Sequence, residues 1–298
     1  MSLQKKVVES FLFYFDAEIY LKRKNEYNKH RMSDSEYILN VKTVQTSAIK
    51  TLFETLKEVL VDVCIEFRSD SIKILSIDSS ETAIVHMKLL SKEFEYYEIN
   101  SPSVSIGINS AMFFKLIKSV NNSETISFYV KKSDDTKLGI CIENSDKNSV
   151  THFSLMLLDY KQRIFPFQDL EFNSVINMPS ADFQKILRDM NNLSTDFIEI
   201  KSVQEQLILS CKGRLVDRKT TLGNNRRGFN FVKSGDEDEI IQGFFNIKFL
   251  LLFTKATNLC QTVSIYLKND FPIILEYSVG SLGVIKFLLS PVKKAELN

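Results

Sequence analysis

Eight cations stand in four pairs along this chain: Lys50 and Lys57, Lys115 and Lys118, Lys185 and Arg188, Lys248 and Lys255. Spacings of three and seven residues return each pair to one side of a helix. Point charges held on helical faces, and repeated four times, suit the binding of a polyanion without reading its sequence. The residues expected of a catalyst are missing. His30, His86 and His152 are far apart, and none stands at a metal-ligand spacing. The nine glycines form neither GxGxxG nor GxxxxGK[ST]. Asp78-Ser79-Ser80 sets a carboxylate beside hydroxyls, but adjacent strand residues face opposite ways and no base is in view. Asp134-Asp135 and the acidic run 236–239 read as solvated turn charge. The expectation is a binding protein with no catalytic residues, no metal and no cofactor.

Helices must position these cations, and the apolar pattern supplies them. Ile49, Leu52, Phe53 and Leu56 fall at i, i+3, i+4 and i+7; Phe113, Leu116, Ile117 and Val120 repeat the template. So do Phe183, Ile186, Leu187 and Met190, and then Phe249, Leu252, Phe253 and Ala256. Ser47, Asn109, Ser180 and Asn246 are the expected N-caps. Between the helices, runs rich in β-branched residues predict strands at 37–44, 61–68, 71–77, 82–89, 103–108, 125–131, 137–143 and 151–158. The second half predicts strands at 174–178, 197–202, 206–211, 214–222, 243–245, 262–267, 273–277 and 283–289.

The helix starts reveal a duplication. Ser47 and Ser180 are 133 residues apart, and Asn109 and Asn246 are 137 apart. Two near-equal offsets mean two copies of one β-rich unit, each with two helices. The fold class is therefore α+β. The expected division is a 1–35 extension, a first unit at 36–158, a linker at 159–172 and a second unit at 173–298. Val7, Val8, Phe11, Leu12, Phe15, Ile19 and Tyr20 can line one face of an added helix. The linker DYKQRIFPFQDLEF has no helical or strand period, and its Ile164, Phe165 and Phe167 suit the border of a binding groove. The stretch 216–239 is expected to be a basic, mobile loop.

With 298 residues, 44% of them hydrophobic, the chain can bury a substantial core. Net charge is only +1, from 38 basic and 37 acidic residues, which excludes a uniformly basic coat but not charge gathered on one face. No aromatic residues interleave with the paired cations, which favours duplex over stacked single strands. Cys64, Cys141, Cys211 and Cys260 are isolated, mostly in apolar runs, as reduced intracellular thiols are. Neither a signal peptide nor a membrane span is expected. Lys22-Arg23-Lys24 reads as a short basic address.

Phe253-Thr254-Lys255-Ala256-Thr257, Met178-Pro179-Ser180 with Leu187-Arg188-Asp189, and Ile77-Asp78-Ser79-Ser80 resemble the DNA sliding clamp family, proliferating cell nuclear antigen. So do Thr55-Leu56-Lys57-Glu58, Pro272 with Leu275-Glu276-Tyr277, and the run from Ile285 to Pro291. The resemblance is co-linear over about residues 37–294. It implies a processivity clamp: a ring, usually a homotrimer, with antiparallel sheets outside and the short helices lining a hole around duplex DNA. The same eight cations carry over as DNA-facing. Ile77, Thr82, Ile164, Phe165, Pro272, Leu288 and Ser290 match the family's groove beneath the linker. There, clients such as polymerases, nucleases and ligases insert a short motif with aromatic anchors, and a clamp loader is implied as a further partner.

Ring closure in the family pairs two edge strands, matched here by 151–158 and 214–222. The alternatives at this point are one subunit of a heterotrimeric checkpoint-type clamp, or a monomeric or dimeric polymerase accessory factor holding DNA by charge. The 1–35 extension has no counterpart in typical clamps, and Asn192 stands where relatives often carry another DNA-facing polar residue. Lysine- and asparagine-rich composition points to an AT-rich genome of a large DNA virus or a protist. The expected location is the nucleus or a cytoplasmic viral replication site.

Overall fold

The computed structural model describes residues 36–159, 171–223, 227–235 and 239–292. The expected 1–35 helix, with His30 and the Lys22 cluster, lies outside them, as do Ile164, Phe165 and Phe167 of the linker and Asp236 to Asp238 of the acidic run.

The first copy runs β1 (Tyr37–Thr43), α1 (Thr46–Val59), β2 (Asp62–Arg68), β3 (Ser71–Ile77), β4 (Ala83–Leu90), β5 (Tyr96–Ile99), β6 (Ser103–Asn109), α2 (Ser110–Ile117), β7 (Thr125–Lys131), β8 (Asp134–Asn144) and β9 (Ser149–Met156). The second repeats it as β10 (Ser174–Pro179), α3 (Ser180–Asn191), β11 (Phe197–Val203), β12 (Gln206–Lys212), β13 (Asp217–Gly223), β14 (Asn230–Lys233), β15 (Ile241–Asn246), α4 (Ile247–Phe253), β16 (Thr262–Leu267), β17 (Ile273–Val279) and β18 (Gly283–Leu289). The duplication therefore holds strand for strand. Two strands escape the sequence pattern, β5 and β14, and each flanks the first strand of its own copy. The segments YYEI and NFVK are too short to show an alternation. The loop expected over 216–239 thus holds β14 beyond β13, which corresponds to the strand expected at 214–222.

Within each copy the strands form a five-stranded and a four-stranded antiparallel group. In the first copy these are β5-β1-β7-β8-β9 and β4-β3-β2-β6; in the second they are β14-β10-β16-β17-β18 and β13-β12-β11-β15. One join makes the chain a single body. Strand β18 pairs with β4 from Gly283 opposite Leu89 to Leu289 opposite Ala83, fusing the second copy's five strands to the first copy's four. The counterparts of these two strands, β9 and β13, are left as sheet edges. Bare edges invite pairing, and these two carry apolar surface. Val150 is 58% exposed and Met156 59% on β9; ahead of β13, Leu215 is 94% exposed and Val216 56%.

The helices pack on one side of the sheets. In the first copy Phe113 of α2 lies 4.2 Å from Phe53 of α1 and 5.6 Å from Phe128 of β7, measured between ring centroids. In the second, Phe253 of α4 stacks on Phe287 of β18 at 4.8 Å. Asn109 and Asn246 cap α2 and α4 as expected, their side-chain oxygens accepting from the Met112 amide at 3.0 Å and the Lys248 amide at 2.9 Å.

The other two expected caps are corrected. Helix α1 begins at Thr46, one residue before Ser47, and Ser180 is the first residue inside α3. Both first-turn hydroxyls instead reach across to the neighbouring helix's exit: Thr46 donates to the Asn121 carbonyl at 2.9 Å, and Ser180 to the Cys260 carbonyl at 2.7 Å. A hydroxyl near a helix start was legible; its use as a tie between helices was not.

The fourth apolar stripe is also corrected. Phe249 and Leu252 are only half-buried, and Ile247, Leu250, Phe253 and Ala256 form the buried line. Their spacing of three continues into a 3-10 turn, Thr254–Asn258, in which i and i+3 superpose. Because IKFLLLF is apolar at nearly every position, the sequence permits both phases. In the second stripe Leu116 is half-buried, while Phe113, Ile117 and Val120 are buried as expected.

One core residue carries an unspent polar group. Tyr277 is fully buried, its hydroxyl has no hydrogen-bond partner among the described residues, and burial pushes its ionisation well above the usual tyrosine range. Tyr277→Phe is expected to stabilise the fold by about 1 kcal/mol by removing an unpaired buried hydroxyl. Urea denaturation checks this; a destabilised variant would show that the hydroxyl has a partner in solution.

Candidate nucleic-acid interface

The four helices lie side by side in the order α2, α1, α4, α3, each touching the next, so the row crosses the join between the copies. All eight expected cations sit on this row, its 3-10 extension or its caps. Their environments differ. On the two outer helices Lys115, Lys118, Lys185 and Arg188 are exposed and make no ion pair with any described residue.

The inner four are engaged. Lys50 donates to the Val120 carbonyl at 2.9 Å, and Lys248 pairs with Asp196 at 3.0 Å. Lys57 pairs with Glu58 and places its ammonium 5.2 Å from the Phe114 ring centroid. Lys255 reaches the same Glu58 carboxylate at 3.0 Å from across the join. The hydrogen bond from Lys57, then that from Lys255, holds the Glu58 carboxyl below the usual glutamate range. Sequence reasoning named Glu58 only within a family stretch, with no role, and passed over Phe114 and Asp196. Glu58 had a signal, since it directly follows Lys57, but its second partner lies in the other copy.

The residues considered for catalysis are structural. The Asp78 carboxylate accepts from the amides of Ser80, Thr82 and Ala83 at 2.9, 2.8 and 2.6 Å, closing the turn into β4. Asp134, the partly exposed first residue of β8, binds Lys137 at 2.8 Å and Thr136 at 2.6 Å, which lowers its pKa to about 2. His86 on β4 is pushed down to about 4 by burial and by Lys286, Lys73 and Lys88, so it is neutral near pH 7. None of the four cysteines is in a disulfide; Cys64, Cys141 and Cys211 are buried, and Cys260 is half-buried. Among the described residues no cluster of His, Cys, Asp and Glu is arranged for a metal, and no helix is long and apolar enough to cross a membrane.

The face of the nine-stranded sheet turned away from the helices carries a second feature. Cross-strand partners Ile77, Ile84, Leu288, Ile274, Tyr266 and Val175 line up in one apolar row over the β18–β4 join. Phe172, the last residue of the linker, packs on it. Thr82 and Ser290 close one end, the Ser290 amide donating to the Thr82 carbonyl at 3.2 Å, and Pro272 precedes β17 beside them. The fold thus gathers Ile77, Thr82, Pro272, Leu288 and Ser290 from both copies, with Leu288, Pro272 and Ser290 buried and Ile77 and Thr82 half-exposed. Ile164 and Phe165 lie outside the described residues. Lys286, 2.7 Å from Glu276, borders the row and places its ammonium 5.5 Å from the Tyr266 ring centroid.

Two family profiles cover this chain: proliferating cell nuclear antigen, N-terminal domain, at residues 38–164, and the C-terminal domain of the same family at 166–292. A protein of Paramecium bursaria Chlorella virus 1 named "Probable DNA polymerase sliding clamp 1" is 33% identical over 264 residues, spanning 88% of this chain and 99% of that protein. A "Probable DNA polymerase sliding clamp" of Acanthamoeba polyphaga mimivirus is 28% identical over 308 residues, spanning 91% of this chain and 65% of that protein. Among solved structures, proliferating cellular nuclear antigen from Entamoeba histolytica has a TM-score of 0.78 at 23% identity, covering 86% of this chain and all of that one, and has the same fold.

Proposed function

Since the chain belongs to the proliferating cell nuclear antigen family of sliding clamps, we propose that it is a DNA polymerase processivity factor acting as a closed ring of three copies around duplex DNA. The observation that carries the ring is the pair of edges left by the duplication. Strand β18 pairs with β4 inside the chain; among the described residues their counterparts β9 and β13 are paired on one side only, with β8 and β12, and leave the other side bare. Pairing β9 of one copy with β13 of the next repeats the internal join and uses both of these edges in every copy, so addition is head-to-tail, and it closes at three copies where each step turns by a third of a circle.

Superposing the ladders of the two copies gives the register that the proposed seam would take. Thr151 faces Thr220, Phe153 faces Arg218 and Leu155 faces Val216, where the internal join has Ile285 with Met87, Phe287 with Val85 and Leu289 with Ala83. The seam between chains is therefore the more polar of the two. That suits a ring which must open to admit DNA.

Closure continues the helix row from α2 of one copy to α3 of the next and turns its cations toward the hole. All eight, Lys50, Lys57, Lys115, Lys118, Lys185, Arg188, Lys248 and Lys255, then face phosphates without reading bases. The apolar row over the internal join, with Ile77, Thr82, Pro272, Leu288 and Ser290 and with Ile164 and Phe165 of the linker, is the dock for polymerases, nucleases, ligases and a clamp loader. The protein does no chemistry itself and works at an intracellular replication site, in the nucleus or a viral factory. Ile77→Ser, at a half-exposed position of this row, is expected to weaken an aromatic-anchored client peptide about 10-fold, as losing one buried apolar anchor does. Peptide fluorescence anisotropy reads this; undiminished affinity would place the dock elsewhere.

A further inference from the structure

The two copies present different charge at equivalent seams. Aligning α1 with α3 by their buried stripes and α2 with α4 by their caps Asn109 and Asn246 puts Asn191 and Asn192 where the first copy has Lys57 and Glu58, and Lys118 where the second has Lys255. At the join inside the chain, Glu58 holds Lys57 and Lys255 together, with side-chain exposures of only 24% for Lys57 and 48% for Lys255. At the seam between chains, as proposed above, the matching positions hold asparagines and an unpaired Lys118.

Resting on that reading of the ring, we propose that Glu58 is a built-in competitor for phosphate. Its carboxylate occupies both ammonium groups, so DNA grips the ring at the seams between chains and only lightly at the joins within them. A phosphate reaching Lys57 or Lys255 must displace a carboxylate from two partners. A phosphate at Lys118 or Arg188 displaces only water and counterions. The grip then alternates around the hole, strong and weak in turn, which favours movement along the duplex over fixed residence.

The test is the salt dependence of binding of a short linear duplex to the full-length protein, followed by fluorescence anisotropy. Each phosphate neutralised adds about 0.9 to the log–log slope. Glu58→Gln is expected to tighten binding about 10-fold at low salt and to steepen the slope by about 2, as two cations come free. A merely structural role would change thermal stability and leave the slope alone. Lys118→Ala should lower the slope by about 1 and Lys255→Ala by much less, a comparison that stands without any Glu58 variant. An unchanged slope for Glu58→Gln, or equal losses for Lys255→Ala and Lys118→Ala, would overturn the role of Glu58. If Lys118→Ala and Arg188→Ala also leave binding untouched, the duplex does not use this face, and the ring reading falls with it.

Discussion

Reversing the charge of Lys115, Lys118, Lys185 and Arg188 together is expected to abolish clamp-dependent DNA synthesis and to leave thermal unfolding where it was. All four side chains are exposed and make no ion pair with any described residue, so the fold does not draw on them. They occupy the two outer helices, where no described residue competes for them. Four reversals per chain exchange attraction for repulsion along the whole duplex path. With each phosphate contact adding to the salt slope, the combined loss of affinity should reach at least ~1000-fold at moderate salt. Primer extension on a long template, with the polymerase partner and loader, reads this as short products. Normal product length from a folded variant would mean that the helix row does not face DNA.

The second large effect concerns the seam. Val150→Asp, Met156→Asp and Val216→Asp in one chain place three carboxylates on the two bare edges. Each parent side chain is already more than half exposed in the single chain, so the monomer should fold unchanged. In the ring those positions become covered, and an unpaired carboxylate there costs several kcal/mol. Sizing should show the mass of one chain, 34.3 kDa, with a circular dichroism spectrum like that of the parent. A variant that still assembles would move the interface off β9 and β13.

What the sequence could and could not disclose divides by range. Asn109 and Asn246 reported the duplication because capping is local: the side chain and the amides it serves are two or three residues apart. Ile49, Leu52, Phe53 and Leu56 reported α1 because its buried face obeys the helical period. Local signals failed where two answers were equally apolar, as in IKFLLLF, and where a strand was only four residues long, as in β5 and β14.

Pairings across the copies were beyond reach for another reason. Glu58 meets Lys255, and Ile84 meets Leu288, only because β18 joins β4, and no periodicity encodes which edge finds which. The eight cations were therefore legible as a set, whereas the division into four that pair with no described residue and four that are engaged was not. The apolar row shows the same limit. Ile77, Thr82, Pro272, Leu288 and Ser290 came from resemblance, and the register explains why those positions share a face.

The measurement that bears most directly on the ring is the molar mass of the purified wild-type protein by light scattering across a dilution series. Three copies closed through β9 and β13 predict a mass of three times 34.3 kDa, constant until dilution opens the polar seam. A mass of one or two chains at every concentration would contradict a self-closing ring and make the chain a clamp that needs a different partner at its edges.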